Sequence, residues 1–78
     1  MEENFSRKEA QAKIGKRVEA TCGTAGVPVG SKGAVIEYWR IRNAIGVTVK
    51  WDILGPVTGE PMFDMFSKPD YEQLLKEI

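Results

Sequence analysis

The segment at residues 30–52 constrains the fold of this chain more than any other part of its sequence. It begins with two glycines that permit a tight turn, and residues 34–40 are then rich in β-branched and aromatic side chains. Residues 45–52 end in an alternation of apolar and polar side chains, and Asn43 falls between the two runs. The pattern predicts a β-hairpin with these two runs as its strands, within a small and twisted antiparallel sheet.

The first strand of this hairpin has an ambiguous phase, because two sets of side chains compete for the core. If Val35 points inward, then Glu37 and Trp39 point inward too. The opposite phase buries Tyr38 and leaves Trp39 outside. A β-bulge near Glu37 would reconcile the two patterns, and in either case we expect one of the two aromatic side chains to be exposed.

The N-terminal residues carry the signals of a short helix. Ser6 and Glu9 have the spacing of a capping box, in which each side chain accepts a hydrogen bond from the other residue's backbone. Gly15 is suited to end a helix in a left-handed conformation. The sequence therefore predicts a helix over residues 6–14.

A strand and a long loop are predicted between this helix and the hairpin. Residues 16–22 alternate apolar with polar side chains, which indicates a half-buried strand with Cys22 facing the core. Without a histidine to activate it, Cys22 is interpreted as a small buried apolar residue and not as a nucleophile. Residues 23–33 are rich in glycine, and predict a loop.

The C-terminal residues predict one more strand and a second helix. Residues 62–66 form a short apolar run typical of a strand, and Ser67 is placed to cap a helix over residues 68–77. The apolar residues of that helix fall at helical spacing, which predicts a buried stripe formed by Tyr71, Leu74, Leu75 and Ile78.

A chain of 78 residues is expected to form one domain, which spans residues 1–78 and has a small core. Small domains often rely on disulfides or a structural metal, but this sequence has one cysteine and no histidine. Self-association, possible through a barrel edge or an aromatic patch, is the remaining aid to stability.

Charge and cysteine content favour a cytoplasmic protein that needs no membrane. The formal net charge is zero, with nine Lys and Arg against six Asp and Glu in residues 1–52, and two against five in residues 53–78. The acidic start resembles no signal peptide, no apolar run is long enough to cross a bilayer, and a lone free cysteine suits a reducing compartment.

No catalytic constellation is visible in the sequence. General acid–base chemistry would fall to carboxylates, tyrosine or lysine, and the acids near loops and strand ends show neither a paired geometry nor metal-ligand spacing. These acids are Asp52, Glu60, Asp64 and Asp70. We therefore expect no enzyme activity, no cofactor and no metal.

Residues 29–36 and 47–52 together resemble KOW-type and SH3-like domains. The resemblance implies a mainly β fold with a small antiparallel SH3-like barrel, to which the helix signals described above add an N-terminal helical turn and a C-terminal helix. Many KOW-type domains act on RNA or on the transcription and translation machinery, so the resemblance also implies nucleic-acid binding as an alternative function. The zero net charge argues against that alternative.

The whole chain is similar to a group of short bacterial proteins of unknown function, through motifs at Phe5, 14–18, 26–33, 49–52 and 66–72. That similarity implies no activity. In size and expected architecture the chain is also similar to the plasmid-borne type II dihydrofolate reductases, in which symmetric barrel subunits bind ligand in a shared pore. Their Val-Gln-Ile-Tyr motif is missing here, so no site residue is carried over.

These observations predict a non-enzymatic interaction module that binds a protein partner or a second copy of itself. The expected face combines the glycine-rich loop with Tyr38, Trp39, Arg40, Arg42 and Trp51. The alternative is a nucleic-acid-binding module that uses Lys16, Arg17, Arg40, Arg42 and Lys50. A second alternative is an oligomeric pore-type enzyme whose substrate the sequence does not indicate.

Overall fold

The computed structural model describes residues 4–23, 27–55 and 57–78. Two short helices and five strands follow one another along the chain. In chain order they are α1 (Arg7–Lys13), β1 (Arg17–Ala20), β2 (Lys32–Ile41), β3 (Ala44–Leu54), β4 (Pro61–Phe66), α2 (Lys68–Leu74) and β5 (Leu75–Glu77).

The five strands form one antiparallel sheet in the order β4-β3-β2-β1-β5. Successive strands from β1 to β4 are neighbours, and α2 carries the chain from β4 at one edge to β5 at the other. The predicted mainly β, antiparallel fold is confirmed. The sheet is not closed within the described residues, so the predicted barrel is not confirmed.

A β-bulge in β2 gives the sheet its two faces. The register between β2 and β3 shifts between Val35 and Glu37, which confirms the predicted bulge. Val35 lies on the inner face, opposite Val49, and after the bulge Tyr38 lies opposite Val47 on that same face. The shift moves the next side chain, Trp39, to the outer face. Both aromatic side chains are half-buried, so neither is fully exposed as predicted.

The inner face and the two helices enclose the core. Its largest fully buried side chains are valines, each of which contributes about 1.5–3 kcal/mol relative to an exposed side chain. Edge-to-face contacts join Trp51 to Phe66, with ring centroids 6.3 Å apart, and Phe5 to Tyr71, at 5.6 Å. The core residues are Phe5, Ala10, Val18, Ala20, Val27, Val35, Val47, Val49, Trp51, Phe66, Tyr71 and Leu75.

Helix α1 begins as predicted. The Glu9 backbone N–H donates to the Ser6 hydroxyl at 3.1 Å, and the Ser6 backbone N–H donates to the Glu9 carboxylate at 3.0 Å, which completes the capping box. Gly15 has a φ of 91°, the left-handed conformation expected after a helix end.

The C-terminal helix is shorter than predicted. Helix α2 ends at Leu74, and the chain continues as β5, which pairs with β1 and places Leu75 opposite Ala20. Strand pairing satisfies the backbone and still buries Leu75, so it replaces the last helical turn. Ile78 is 54% exposed, and its predicted place in the buried stripe is wrong.

The predicted burial of Cys22 is also wrong. Strand β1 ends at Ala20, and Cys22 lies beyond it with an exposed side chain. The alternation that predicted burial holds only while the chain stays in the sheet. Of the predicted loop, residues 24–26 lie outside the described residues, and Lys32 and Gly33 already belong to β2.

Candidate binding surface

The outer face of the sheet carries apolar side chains at one end. Residues paired across an antiparallel ladder share a face, so Trp39 opposite Gly46 and Met65 opposite Thr48 lie on the same side. Phe63, opposite Lys50, is also on this side. Phe63 and Met65 are 53% and 56% exposed, which is unusual for large apolar side chains on two neighbouring positions of one face.

Trp39 is held in place by its own strand partner. Its indole covers Gly46, which is buried and lies so close to the ring and to the Phe66 carbonyl that it has no room for a Cβ atom. The indole Nε1–H donates to the Val47 carbonyl at 3.2 Å. Two independent contacts therefore fix the ring as a rigid apolar surface.

Together these side chains line a shallow depression that we call the groove, with a volume of about 510 Å³. Thr48 is the floor and is only 7% exposed although it lies on the outer face. Glu37 is the one charged residue in the lining. The lining residues are Glu37, Tyr38, Trp39, Thr48, Phe63 and Met65.

The other end of the outer face is charged, and most of its charges are paired. Arg17 forms two hydrogen bonds with the Asp52 carboxylate, at 3.2 and 2.5 Å, and Lys76 lies 3.6 Å from Glu19. The hydrogen bonds from Arg17 hold the pKa of the Asp52 carboxyl below its ordinary value. Two ion pairs therefore neutralise four of the charges at this end of the sheet.

A second concavity, which we call the cleft, lies between α1 and α2. Lys13 contacts the Glu77 carboxylate at 2.6 Å, and the Tyr71 hydroxyl donates to the same carboxylate at 2.8 Å. Lys68 contacts Glu9 at 3.2 Å. The Lys13 hydrogen bond is the main cause that lowers the pKa of Glu77, while burial raises the pKa of Tyr71. These contacts tie α1, α2 and β5 together.

The predicted interaction face is only partly brought together. Trp39 and Tyr38 line the groove, although Tyr38 also packs against the core. Arg40 is exposed near the end of β2, and Arg42 occupies the hairpin turn with a φ of 54°. Trp51 lies on the inner face, where it is 2% exposed and its indole N–H donates to the Asp64 carboxylate at 2.7 Å. Trp51 therefore supports the sheet from the core side and offers no contact surface.

Sequence reasoning missed Phe63 and Met65. Their strand was predicted, but all of its residues except Asp64 and Pro61 are large and apolar, so alternation could not show which side chains face outward. The one polar side chain in the middle of the strand, Asp64, indicates the wrong phase, because it faces the inner side where it accepts the Trp51 indole N–H.

The basic residues predicted as nucleic-acid contacts do not form one patch. Arg17 and Lys50 are both strand partners of Ala34, whereas Arg40 lies six residues further along β2, about 20 Å away. Arg42 lies at the hairpin tip with Arg40, and Lys16 directly precedes β1. Arg17 is in addition neutralised by Asp52.

Within residues 4–23, 27–55 and 57–78, no group of three or more His, Cys, Asp or Glu side chains is arranged to hold a metal ion. Neither described helix has the length and apolar composition needed to cross a membrane.

Comparison with known proteins gives no match, whether with family models, with curated proteins or with solved structures. The resemblances noted from the sequence therefore stay predictions.

Proposed function

We propose that this protein is a non-enzymatic interaction module that binds an apolar polypeptide segment in the groove on its outer face. The single observation that carries the proposal is the fixed indole of Trp39 next to the exposed side chains of Phe63 and Met65. Aromatic and methionine side chains of this kind are enriched at protein interfaces.

The groove favours binding because little has to be ordered when a ligand arrives. The indole of Trp39 already lies against Gly46, so its rotamer entropy is lost on folding and not on association. Covering the exposed halves of Phe63 and Met65 would contribute about 1 kcal/mol each. These two contributions favour an apolar segment but do not by themselves offset the entropy lost on association, so the segment must make further contacts with the groove.

The lining also indicates the chemistry of the segment. Glu37 is exposed at the rim and is the one charge in the lining, so a basic side chain or a backbone N–H of the segment would find an acceptor there. We expect a preference for apolar segments that carry a lysine or arginine over segments that carry acidic residues.

The strand order supports the SH3-like interpretation of the fold. A four-strand meander followed by a helix, with the last strand returning to pair with the first, has the strand order expected of a small SH3-like fold. The lone, exposed thiol of Cys22 supports a reducing cytoplasm as the working compartment.

A peptide selection tests the proposal. A displayed library of random peptides is selected on the wild-type protein, and enriched peptides are titrated against wild type, Met65→Lys and Ile78→Lys. The Ile78 variant is the matched control, since Ile78 is 54% exposed and lies outside the groove. We expect at least tenfold weaker binding to Met65→Lys, about 1.4 kcal/mol, and unchanged binding to the control.

Amide chemical shifts provide the second readout. Bound peptide should shift the amide resonances of Thr48, Phe63 and Met65 before those of the charged end of the sheet. The proposal fails if no peptide is enriched, or if the enriched peptides bind both variants with wild-type affinity and shift resonances elsewhere.

A further inference from the structure

The two edges of the sheet are built differently. Strand β5 has three residues, two of which are the charged Lys76 and Glu77, and both charges are paired with other elements. Short, charged edge strands are a common protection against pairing with another chain. By these criteria the β5 edge is closed to association.

The β4 edge has less of this protection, above all on its outer side. Strand β4 has six residues, its proline is at the first position, and the register between its residues 63–66 and β3 runs without a bulge. Its one charge, Asp64, faces the inner side, where it accepts the Trp51 indole N–H, so the outer side of β4 carries no charge. The side chains that β4 presents on the outer face are Phe63 and Met65, both more than half exposed.

We propose that a second copy of this chain pairs with the β4 edge, so that two β4 strands run antiparallel about a twofold axis and the two sheets become one. A twofold axis is self-complementary, because each copy presents the same unprotected edge. The outer faces of both copies then lie on the same side, and Phe63 and Met65 of each copy extend one continuous apolar surface. This interface goes beyond the groove and does not depend on what the groove binds.

The side-chain pattern selects a register centred on Phe63. Pleat alternation requires outer residues to face outer residues, which leaves Phe63 or Asp64 on the axis as the well-overlapped choices. A centre at Asp64 would place two carboxylates directly opposite each other, which is destabilising. A centre at Phe63 instead pairs the two phenyl rings and sets Asp64 opposite Met62 of the second copy.

Charge and size favour the second copy as the occupant of this edge. The formal net charge is zero, so two copies approach each other without long-range repulsion. Pairing of the two β4 edges would remove part of the exposed area of both Phe63 rings from water. That burial would strengthen a 78-residue domain whose own core is small.

Molar mass by size-exclusion chromatography with light scattering tests the dimer. Wild type should move from the 8.7 kDa monomer to about 17 kDa as its concentration rises. Phe63→Lys, which would place two lysines face to face on the axis, should stay monomeric, and Met65→Lys should weaken the dimer less. Ile41→Lys is the matched control, because Ile41 is 55% exposed but lies on β2, away from the edge.

Charge complementation tests the twofold axis itself. Phe63→Lys and Phe63→Glu should each be monomeric alone, and their mixture should form a dimer of one copy of each. In a Cys22→Ser background, Phe63→Cys should cross-link to itself under mild oxidation, since paired Cα atoms lie about 4.5–5.5 Å apart. Met65→Cys should not cross-link to itself.

Three results would overturn the inference: a wild type that stays monomeric at every concentration, a Phe63→Lys variant that dimerises as wild type does, or self-cross-linking through Asp64→Cys in place of Phe63→Cys. A monomeric wild type that still binds selected peptides in the groove would end this inference and leave the proposed function standing. A dimer without peptide binding would do the reverse.

Discussion

The groove and the cleft are both concave, but the cleft is lined by polar side chains that are paired with one another, and the groove by apolar side chains that face solvent. In the cleft, the Glu77 carboxylate receives contacts from both Lys13 and Tyr71, and Lys68 contacts Glu9. The groove is larger, at about 510 Å³ against about 280 Å³, and its walls are apolar side chains that face solvent.

The difference shows which contacts hold distant parts of the chain together and which do not. The cleft joins α1 to α2 and β5, which begin more than fifty residues further along the chain, and its paired charges hold those elements together. The groove joins only neighbouring strands that the backbone ladder already holds, so its exposed walls, Phe63 and Met65, add little to the fold. Substitutions in the cleft should therefore change stability, and substitutions of the groove walls should change association.

The packing of Trp39 on Gly46 is the exception, and it gives the largest expected effect. In Gly46→Ala the added Cβ meets the Trp39 ring and the Phe66 carbonyl, so the ring has to leave its place. We expect the free energy of unfolding to fall by about 3 kcal/mol, typical of severe overpacking. Chemical denaturation measures the loss, and the Trp39 indole N–H resonance should shift because its bond to Val47 is disturbed.

Gly23→Ala is the matched control for that substitution. A Cβ at Gly23 meets its nearest neighbour, the Val29 side chain, at 3.7 Å, which is ordinary contact. The control should change stability by less than about 0.5 kcal/mol. If Gly46→Ala were as mild as Gly23→Ala, the indole would not be held as the structure describes.

The next effect lies in the cleft, at the Tyr71 hydroxyl. Tyr71→Phe removes one hydrogen bond to Glu77 and keeps the ring in the core, so we expect a loss of about 1 kcal/mol. Burial raises the pKa of Tyr71 above its ordinary value of 10.0. A raised pKa means that the contribution is fully present below about pH 10 and is lost as the pH rises further. The free energy of unfolding, measured from pH 7 to 11, should therefore fall more steeply with pH for wild type than for Tyr71→Phe.

A smaller effect is expected from the acidic partner in the same cleft. Contacts with Lys13 and Tyr71 lower the pKa of Glu77 below its ordinary value of 4.5. A lowered pKa means that the stabilisation is present above about pH 4.5 and is lost as the pH falls through the lowered pKa. Because this side chain is 39% exposed, its contribution is below about 1 kcal/mol.

Glu77→Gln measures that contribution. The difference in unfolding free energy between wild type and the variant should be constant from pH 7 to pH 5 and should shrink below pH 4.5. A difference that grows on acidification would contradict the assigned sign.

The local signals in the sequence predicted the elements of this fold better than they predicted its surface. The capping box of Ser6 and Glu9 and the bulge near Glu37 depend on a few neighbouring residues, and both were correct. The predicted end of α2 was wrong because the pairing of Leu75 with β1 depends on residues more than fifty positions away. The predicted burial of Cys22 was wrong for a related reason, since the end of β1 is set by its pairing with the neighbouring strands.

The composition of the outer face depends on which side of the sheet each strand residue lies, and the sequence alone does not determine this. Trp51 and Trp39 are both strand aromatics, yet one lies in the core and the other lines the groove, and only the register after the bulge separates them. The outward-facing residues of β4 could not be identified from the sequence either, because most of that strand is apolar and shows no alternation. Net charge and the absence of histidine are properties of composition, and they limited the function classes without placing a site.

The smallest effect on stability is expected at the groove wall, where the effect on association should be largest. Phe63→Ser removes a ring that is 53% exposed and is not part of the core, so the unfolding free energy should stay within about 1 kcal/mol of wild type. Chemical denaturation of the monomer, at concentrations below any self-association, measures this difference. A loss of 2 kcal/mol or more would mean that the groove wall supports the fold as the cleft does, and the contrast between the two concavities would no longer hold. An unchanged stability together with lost dimerisation or peptide binding would mean that Phe63 is kept exposed for contact with another chain.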